Sequence, residues 1–245
     1  MKEQYFKLNK LPAVLIGEQS DKLFLFVHGL GGNKEEAKVF AEVACPLGWQ
    51  VLGIDLPGHG ERVDNPVTFD PWHAVPELHQ VMQYAKKGWS QVAVRANSIG
   101  SYFSLLAFSG ETLVQCLLVS PLVDMERMIE NLMHWAGVTE ERLECEKLIA
   151  TDFGQTLSWE YLCYARSHKI EVWNTPTFIL KAEQDELIDE DTVVSFSNRF
   201  DCKLTVTEGG EHWFHTPEQL SVLCKWEAEA MNQPNIESLK LKQLL

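Results

Sequence analysis

Val92-Ala93-Val94-Arg95-Ala96-Asn97-Ser98-Ile99-Gly100-Ser101 is the most informative stretch of the chain. Its first half is rich in β-branched and small residues and suits a strand. A serine follows, and a helical pattern begins at once. A serine at a strand-to-helix turn is the setting of the nucleophile elbow, G-x-S-x-G. Here the match is Ala96-x-Ser98-x-Gly100, with alanine in place of the first glycine. The small residues have a steric reason: the turn brings strand and helix backbones close together. Taken alone, the same stretch also fits a serine that simply caps a helix.

Outward from this turn, short β-rich runs alternate with helical patterns. Strands are expected at 22–28, 50–56, 91–97, 115–120, 177–182 and 203–207. Several are almost continuously apolar, such as Leu-Phe-Leu-Phe-Val at 23–27. That pattern suits a strand covered on both faces, as in a parallel sheet. Val75, Leu78, Met82 and Ala85 recur at helical spacing, with Pro76 read into a first turn. The runs 5–8 and 13–16 suit an antiparallel edge hairpin. Strand–helix alternation of this kind predicts a doubly wound sheet.

One crossover is too long. Roughly 55 residues separate Pro121 from Pro176, against the dozen or so that a βαβ connection needs. Met125, Met128, Ile129, Leu132 and Met133 share one helix face, and further helix is expected at 140–149 and 159–167. Residues 122–175 therefore read as a helical cap inserted in a single domain spanning 1–245.

Three other segments bear on chemistry. Phe26-Val27-His28-Gly29-Leu30-Gly31-Gly32 ends the first long strand. A glycine-rich turn there lets backbone N–H groups face a developing oxyanion, and the N–H groups of Leu30 and Ile99 would form a two-donor hole. The turn has neither G-x-G-x-x-G nor a G-K-[ST] ending, which argues against a phosphate loop. Asp185 follows the strand at 177–182, and His212 follows the last strand. The chain order is thus Ser98, Asp185, His212.

With that order in place, the chain resembles the α/β-hydrolase-fold serine hydrolases of the esterase/lipase type. Asp55-Leu56-Pro57-Gly58-His59-Gly60 fits the D-x-P-G-x-G turn that many of them carry. The resemblance runs from about Lys22 to Trp226, interrupted by the insertion. It implies a mostly parallel sheet flanked by helices, with the cap between the family's sixth and seventh strands. It implies Ser98 as nucleophile, His212 as general base and Asp185 as the carboxylate that orients it. No metal or organic cofactor is implied. Two departures stand out: Ala96 replaces glycine, and Asn97 precedes the serine where many relatives have histidine, so acyl-pocket details do not carry over.

Alternatives remain for the acid. Asp124 follows the preceding strand, where some relatives place it, and Asp189 lies four residues beyond Asp185 and suits a helix cap. His215 stands three residues after His212, but no third metal ligand is evident. The cap is the handle on substrate. Met128, Leu132, Trp135, Trp159 and Tyr161 are expected to line an apolar or aromatic pocket above Ser98, although any one of them also suits packing onto the sheet. The implied activity is hydrolysis of small apolar or aromatic esters. A thioesterase, an amidase or aminopeptidase, a lyase on the same triad, and a non-catalytic binding protein are the rivals.

Composition bounds the rest. At 245 residues, 45% apolar and 23% charged, the chain suits one large α/β domain. Lys and Arg number 21 against 35 Asp and Glu, a net charge of −14. That argues against nucleic-acid or anionic-membrane partners, which need a basic patch. No apolar run approaches a membrane span, and the polar first ten residues do not read as a signal peptide. The six cysteines include no C-x-x-C pair, so reduced thiols in a cytoplasmic protein are expected. The Leu-rich tail at 234–245 offers a docking element for the chain's own domain or for a homodimer.

Overall fold

Leu23, Phe24, Leu25, Phe26 and Val27 are all buried, because their strand runs through the middle of an eight-stranded sheet. The computed structural model describes residues 1–64 and 67–233. The Leu-rich tail at 234–245 lies outside the described residues. In chain order the elements are β1 (Glu3–Leu8), β2 (Leu11–Ile16), β3 (Lys22–Val27), α1 (Ala37–Ala44), β4 (Gln50–Ile54), α2 (Pro71–Gly88), β5 (Gln91–Asn97), α3 (Ile99–Phe108) and β6 (Cys116–Val119). Then come α4 (Met125–Trp135), α5 (Glu140–Glu146), β7 (Leu148–Ala150), β8 (Thr156–Ser158), α6 (Trp159–Ser167), β9 (Thr177–Ala182), α7 (Glu190–Arg199), β10 (Lys203–Thr207) and α8 (Pro217–Met231).

The sheet order is β1-β2-β4-β3-β5-β6-β9-β10. β1 pairs antiparallel with β2, and β2 antiparallel with β4; every other pairing is parallel. The hairpin β1–β2 thus forms the antiparallel edge. Strand alternation sorts side chains to two faces. Phe24, Phe26, Ala93, Leu117, Val119, Phe178 and Leu180 meet α1 and α8 on one face. Phe24 sets its ring edge-on to Phe40 of α1, 4.9 Å between centroids. On the other face Leu23, Leu25, Val27, Val94, Ala96, Leu118 and Ile179 meet α2, α3 and α7. Each large side chain fully buried in this way contributes about 1.5–3 kcal/mol.

Two helices differ from their sequence reading. α2 starts at Pro71, capped by Asp70, whose carboxylate accepts from the His73 N–H. Pro76 therefore lies inside the helix and not in its first turn. The helix expected over 140–149 stops at Glu146, where Lys147 takes φ +67°. Residues 148–150 instead pair antiparallel with 156–158 around a turn in which Gly154 takes φ +90°. Strands of three residues are too short to set a period of their own in the sequence. Helices α4 and α6 lie where the spacing put them. Their buried residues Met125, Ile129, Met133, Leu162 and Ala165 join the core on the α2/α3 face. No described helix is long and apolar enough to cross a membrane.

Candidate active site

Ser98 stands between β5 and α3 with φ +47° and ψ −124°. A non-glycine residue held there stores about 1–3 kcal/mol of backbone strain. The strand β6 and the segment after it share the restraint: the Ser98 N–H donates to the Val119 carbonyl at 3.0 Å, and its carbonyl accepts from the Leu122 N–H at 3.1 Å. Gly100 explains the small residue two positions on. A Cβ there would lie 2.3 Å from the His28 carbonyl oxygen and 2.9 Å from that of Val27. Ala96 is fully buried in the core on the α2/α3 face, so alanine serves at the first small position.

The structure brings Ser98, His212 and Asp185 together. Ser98 Oγ is 3.0 Å from His212 Nε2, and His212 Nδ1 is 2.7 Å from Asp185 Oδ2. The other Asp185 oxygen accepts from the N–H groups of Leu187 and Ile188, both at 3.0 Å. The Asp185 side chain is fully buried, and its lone pairs are directed by these donors. With the carboxylate accepting from Nδ1–H, Nε2 is left as an acceptor for the serine hydroxyl. That arrangement can draw a proton from Ser98 as its oxygen attacks an electrophile.

The alternative acids are engaged elsewhere. Asp124 caps α4 by accepting from the Arg127 N–H at 3.0 Å. Asp189 stands at the N-cap of α7 but makes no side-chain cap bond there. Its carboxylate instead accepts from Arg127 Nε and Asn131 Nδ2 of α4, each at 3.0 Å. It ties the insertion to α7 and is held below the usual carboxylate range by Asn131 and Arg127. His215 Nδ1 donates to the Trp213 carbonyl at 2.8 Å and lies 3.7 Å from Glu211 Oε2. Among the described residues no group of three His, Cys, Asp or Glu side chains is placed to hold a metal. All six cysteines are free.

The glycine-rich turn at 29–32 is fixed from below by two histidines. His28 is fully buried; its Nε2 accepts from the Leu56 N–H at 3.0 Å, which puts the ring proton on Nδ1, 2.7 Å from the Gly29 carbonyl. Burial lowers its pKa to about 4, against a small opposing pull from the Gly29 bond. His59 Nε2 accepts from the Gly31 N–H at 2.9 Å. His59 belongs to the D-x-P-G-x-G turn, whose Asp55 is a buried hub. Asp55 accepts from the Lys34 N–H and Nζ and from the Glu61 N–H, at 2.8–3.0 Å. Gly60 has to be glycine, since a Cβ would fall 2.3 Å from the Asp55 carboxylate. The N–H groups of Leu30 and Ile99 have no acceptor among the described residues.

A cavity of about 420 Å³ opens beside Ser98 and His212, between the 29–32 turn, α1 and α8. Phe26, Phe40, Val119, Leu220 and Leu223 form its apolar wall, and Trp213 and Phe214 flank His212. None of Met128, Leu132, Trp135, Trp159 and Tyr161 lines it. This corrects the expectation that these residues sit above the serine. Met128, Leu132, Trp159 and Tyr161 are partly buried against the core of the opposite sheet face. Tyr161 packs edge-on to Trp72. Trp135, at the end of α4, is exposed and sets its ring edge-on to Phe153 in the turn of the small hairpin. Their apolar surface is spent on holding the insertion down.

The cavity also holds Asn97 and four residues that the sequence reading did not single out: Glu36, Arg95, Ser120 and Glu227. Arg95 Nε donates to Glu227 Oε1 at 2.7 Å, with both side chains almost completely buried. Arg95 Nη1 donates to Asn97 Oδ1, and Asn97 Nδ2 is 3.5 Å from Glu36 Oε2. Burial raises the pKa of both Glu36 and Glu227, against the pull of Arg95. A signal was present: an arginine in an otherwise apolar strand must be buried on one of two covered faces.

No protein-family model matches the chain. A relative, 2-succinyl-6-hydroxy-2,4-cyclohexadiene-1-carboxylate synthase of Serratia proteamaculans (strain 568), is 38% identical over 79 residues. That match spans only 30% of this chain and 30% of the synthase. Solved structures are similar over nearly the whole length. Est1E from Butyrivibrio proteoclasticus with ferulic acid bound superposes with a TM-score of 0.74 at 21% identity, covering 93% of this chain and 97% of that one. Mouse α/β hydrolase domain-containing protein 10 gives 0.77 at 13% identity, covering 95% and 99%. The fold is that of the α/β-hydrolases. Within it, β1–β2 is the antiparallel edge of the hydrolase sheet, and Ser98 stands at the turn after its central strand β5.

Proposed function

We propose that the protein is a serine hydrolase that cleaves carboxylic esters of small apolar or aromatic acids through an acyl-enzyme. The observation that carries this reading is the continuous line from Ser98 Oγ through His212 to Asp185, at 3.0 and 2.7 Å. Ser98 Oγ attacks the ester carbonyl while His212 Nε2 takes its proton. The oxyanion is held by the N–H groups of Leu30 and Ile99. Collapse breaks the ester C–O bond, and His212 returns the proton to the leaving alcohol. Water then repeats the sequence on the acyl-serine, releasing the acid and restoring Ser98. Asp185 keeps the imidazole in the required tautomer and stabilises the imidazolium.

The apolar wall of the cavity supports a hydrocarbon or aromatic group beside the ester. The binding of ferulic acid, an aromatic acid, by the similar Est1E supports the same class. The partner is a small-molecule ester, and the compartment we assign is the cytoplasm. The test is labelling with a fluorophosphonate probe, followed by an acyl-chain series of p-nitrophenyl esters. Labelling and turnover are expected in the wild type and lost in Ser98→Ala. Labelling that persists in Ser98→Ala, or an unlabelled wild type that turns over no ester, overturns the reading.

A further inference from the structure

Between His28 and Asn33 the chain carries three glycines and one exposed side chain, Leu30. Such a segment gains little rigidity from its own residues. It nevertheless lies against the nucleophile: a Cβ on Gly29 would stand 3.2 Å from that of Ser98. On the α2 side the turn is anchored by His59, which takes the Gly31 N–H. On the α1 side the anchor is the Glu36 carboxylate. Glu36 Oε1 accepts from the Asn33 N–H at 3.2 Å, and a Cβ on Gly32 would collide with the same oxygen. The carboxylate thus abuts the turn where only a glycine fits without moving it.

Glu36 is aimed in its turn by a polar chain that starts in α8. Glu227 Oε1 accepts from Arg95 Nε at 2.7 Å, and Arg95 Nη1 donates to Asn97 Oδ1. An arginine only donates, so the Asn97 oxygen has to face it. The Asn97 nitrogen is thereby turned to Glu36 Oε2, 3.5 Å away. Arg95 and Asn97 leave β5 on the same face, two residues apart. Arg95 and Glu227 are buried, Asn97 and Glu36 half-buried, and hydrogen bonds in such surroundings orient one another.

Resting on the reading of Ser98 as the nucleophile, we propose that Glu36 and Asn97 are positioning residues that hold the 29–33 turn with the Leu30 N–H directed at the oxyanion formed beside Ser98. The pair acts through the turn and not on the substrate. Its effect is felt in the transition state, where negative charge reaches the Leu30 N–H, and hardly in the bound ester. A group misplaced by about 1 Å costs about a hundredfold in rate.

The test exchanges the polarity of the Asn97–Glu36 contact. Glu36→Gln keeps an acceptor for Asn33 but turns an amide nitrogen toward the Asn97 nitrogen, donor against donor. Asn97→Asp keeps the acceptor for Arg95 but sets two carboxylates face to face. Each single variant should lower kcat for p-nitrophenyl butyrate, and the rate of fluorophosphonate labelling, by about a hundredfold. Calorimetric affinity for the same ester, with each substitution placed in the Ser98→Ala background, should not change. In the double variant the new amide donates to the new carboxylate, so kcat and labelling should return to within about tenfold of wild type. A single variant with wild-type kcat, a loss confined to ester affinity, or a double variant no better than the singles overturns the inference. Should Asn97→Asp fail to fold, Glu36→Ala carries the test, with the same loss in kcat and the same retained affinity. Hydrogen exchange needs no turnover. Protection of the Gly31 N–H, which His59 holds, should fall in Glu36→Ala while β3 stays protected; unchanged protection also overturns the inference. That loss of protection in a protein whose wild type takes no label would sink the hydrolase reading and leave the hold on the turn standing.

Discussion

The two faces of β5 meet at Ser98 and are built in opposite ways. On the α2/α3 side, Val94 and Ala96 pack into a dense apolar core that continues into the insertion. On the α1/α8 side, Arg95 and Asn97 interrupt that packing, and the cavity opens beside them. The contrast separates aromatic content from empty space. The insertion holds many of the chain's aromatic and sulfur-bearing side chains, yet they pack against one another and against the core. A cavity forms where filling is incomplete, here where charge enters an apolar layer. A buried Arg–Glu pair is weak evidence for stability, because desolvation cancels much of its attraction. The Arg95–Glu227 pair is therefore better understood through the cavity it borders.

The largest effect is expected where the two faces meet. Ser98→Ala should lower ester turnover by about a million-fold while circular dichroism stays unchanged. Substantial residual activity would move the chemistry off the cavity. Next, Asp185→Asn should cost about four orders of magnitude in kcat, through the wrong imidazole tautomer. Asp124→Asn, which touches only a helix cap on the insertion side, should leave kcat near wild type; the reverse ranking would shift the active carboxylate to that side.

A smaller effect concerns the turn over the cavity. His28 is kept neutral by burial, with its pKa lowered from the ordinary 6.5 to about 4. The unfolded chain takes up this proton below pH 6.5 and the native state only near 4. His28 therefore contributes stability that is complete above 6.5 and lost as the pH falls toward 4, up to about 3 kcal/mol. Urea titrations between pH 7 and 4 should show this loss, and His28→Asn should flatten it. The smallest effect bears most directly on the contrast. Leu223→Ala in the cavity wall should shift preference between neighbouring acyl chains by about tenfold. Trp135→Ala on the insertion should leave preference unchanged. If Trp135→Ala moves it more, substrate extends across to the insertion after all.

All eight strands of the main sheet, the edge hairpin included, and the site's three approaching side chains were legible in the sequence. Continuous apolar runs mark doubly covered strands, and a serine, an aspartate and a histidine each follow one of them. The first small residue of the elbow and Gly100 carry a steric requirement that can be argued before any coordinates. The location of the cavity was not legible. Whether Met128 or Trp159 lines a void or fills one depends on which neighbours reach it, and spacing along one helix does not encode that. The hairpin at 148–158 was hidden for a different reason: two three-residue strands are too short for a period to register. The role of Arg95 was not legible, since an isolated charge in a strand says that it needs a partner without saying that the partner is Glu227, 132 residues away.

That separation also bears on how the protein folds. His212 lies 114 residues from Ser98 and 27 from Asp185. Closing the longer loop costs about 1 kcal/mol more chain entropy than the shorter one. The parallel pairing of β6 with β9 must also wait until the whole insertion has been synthesised and folded back. The half of the molecule from β1 to α3 can settle early, with Ser98 already in its turn and no imidazole beside it. The line from Ser98 through His212 to Asp185 is thus assembled late in the life of the chain, and its appearance reports docking of the C-terminal third more faithfully than helix content does.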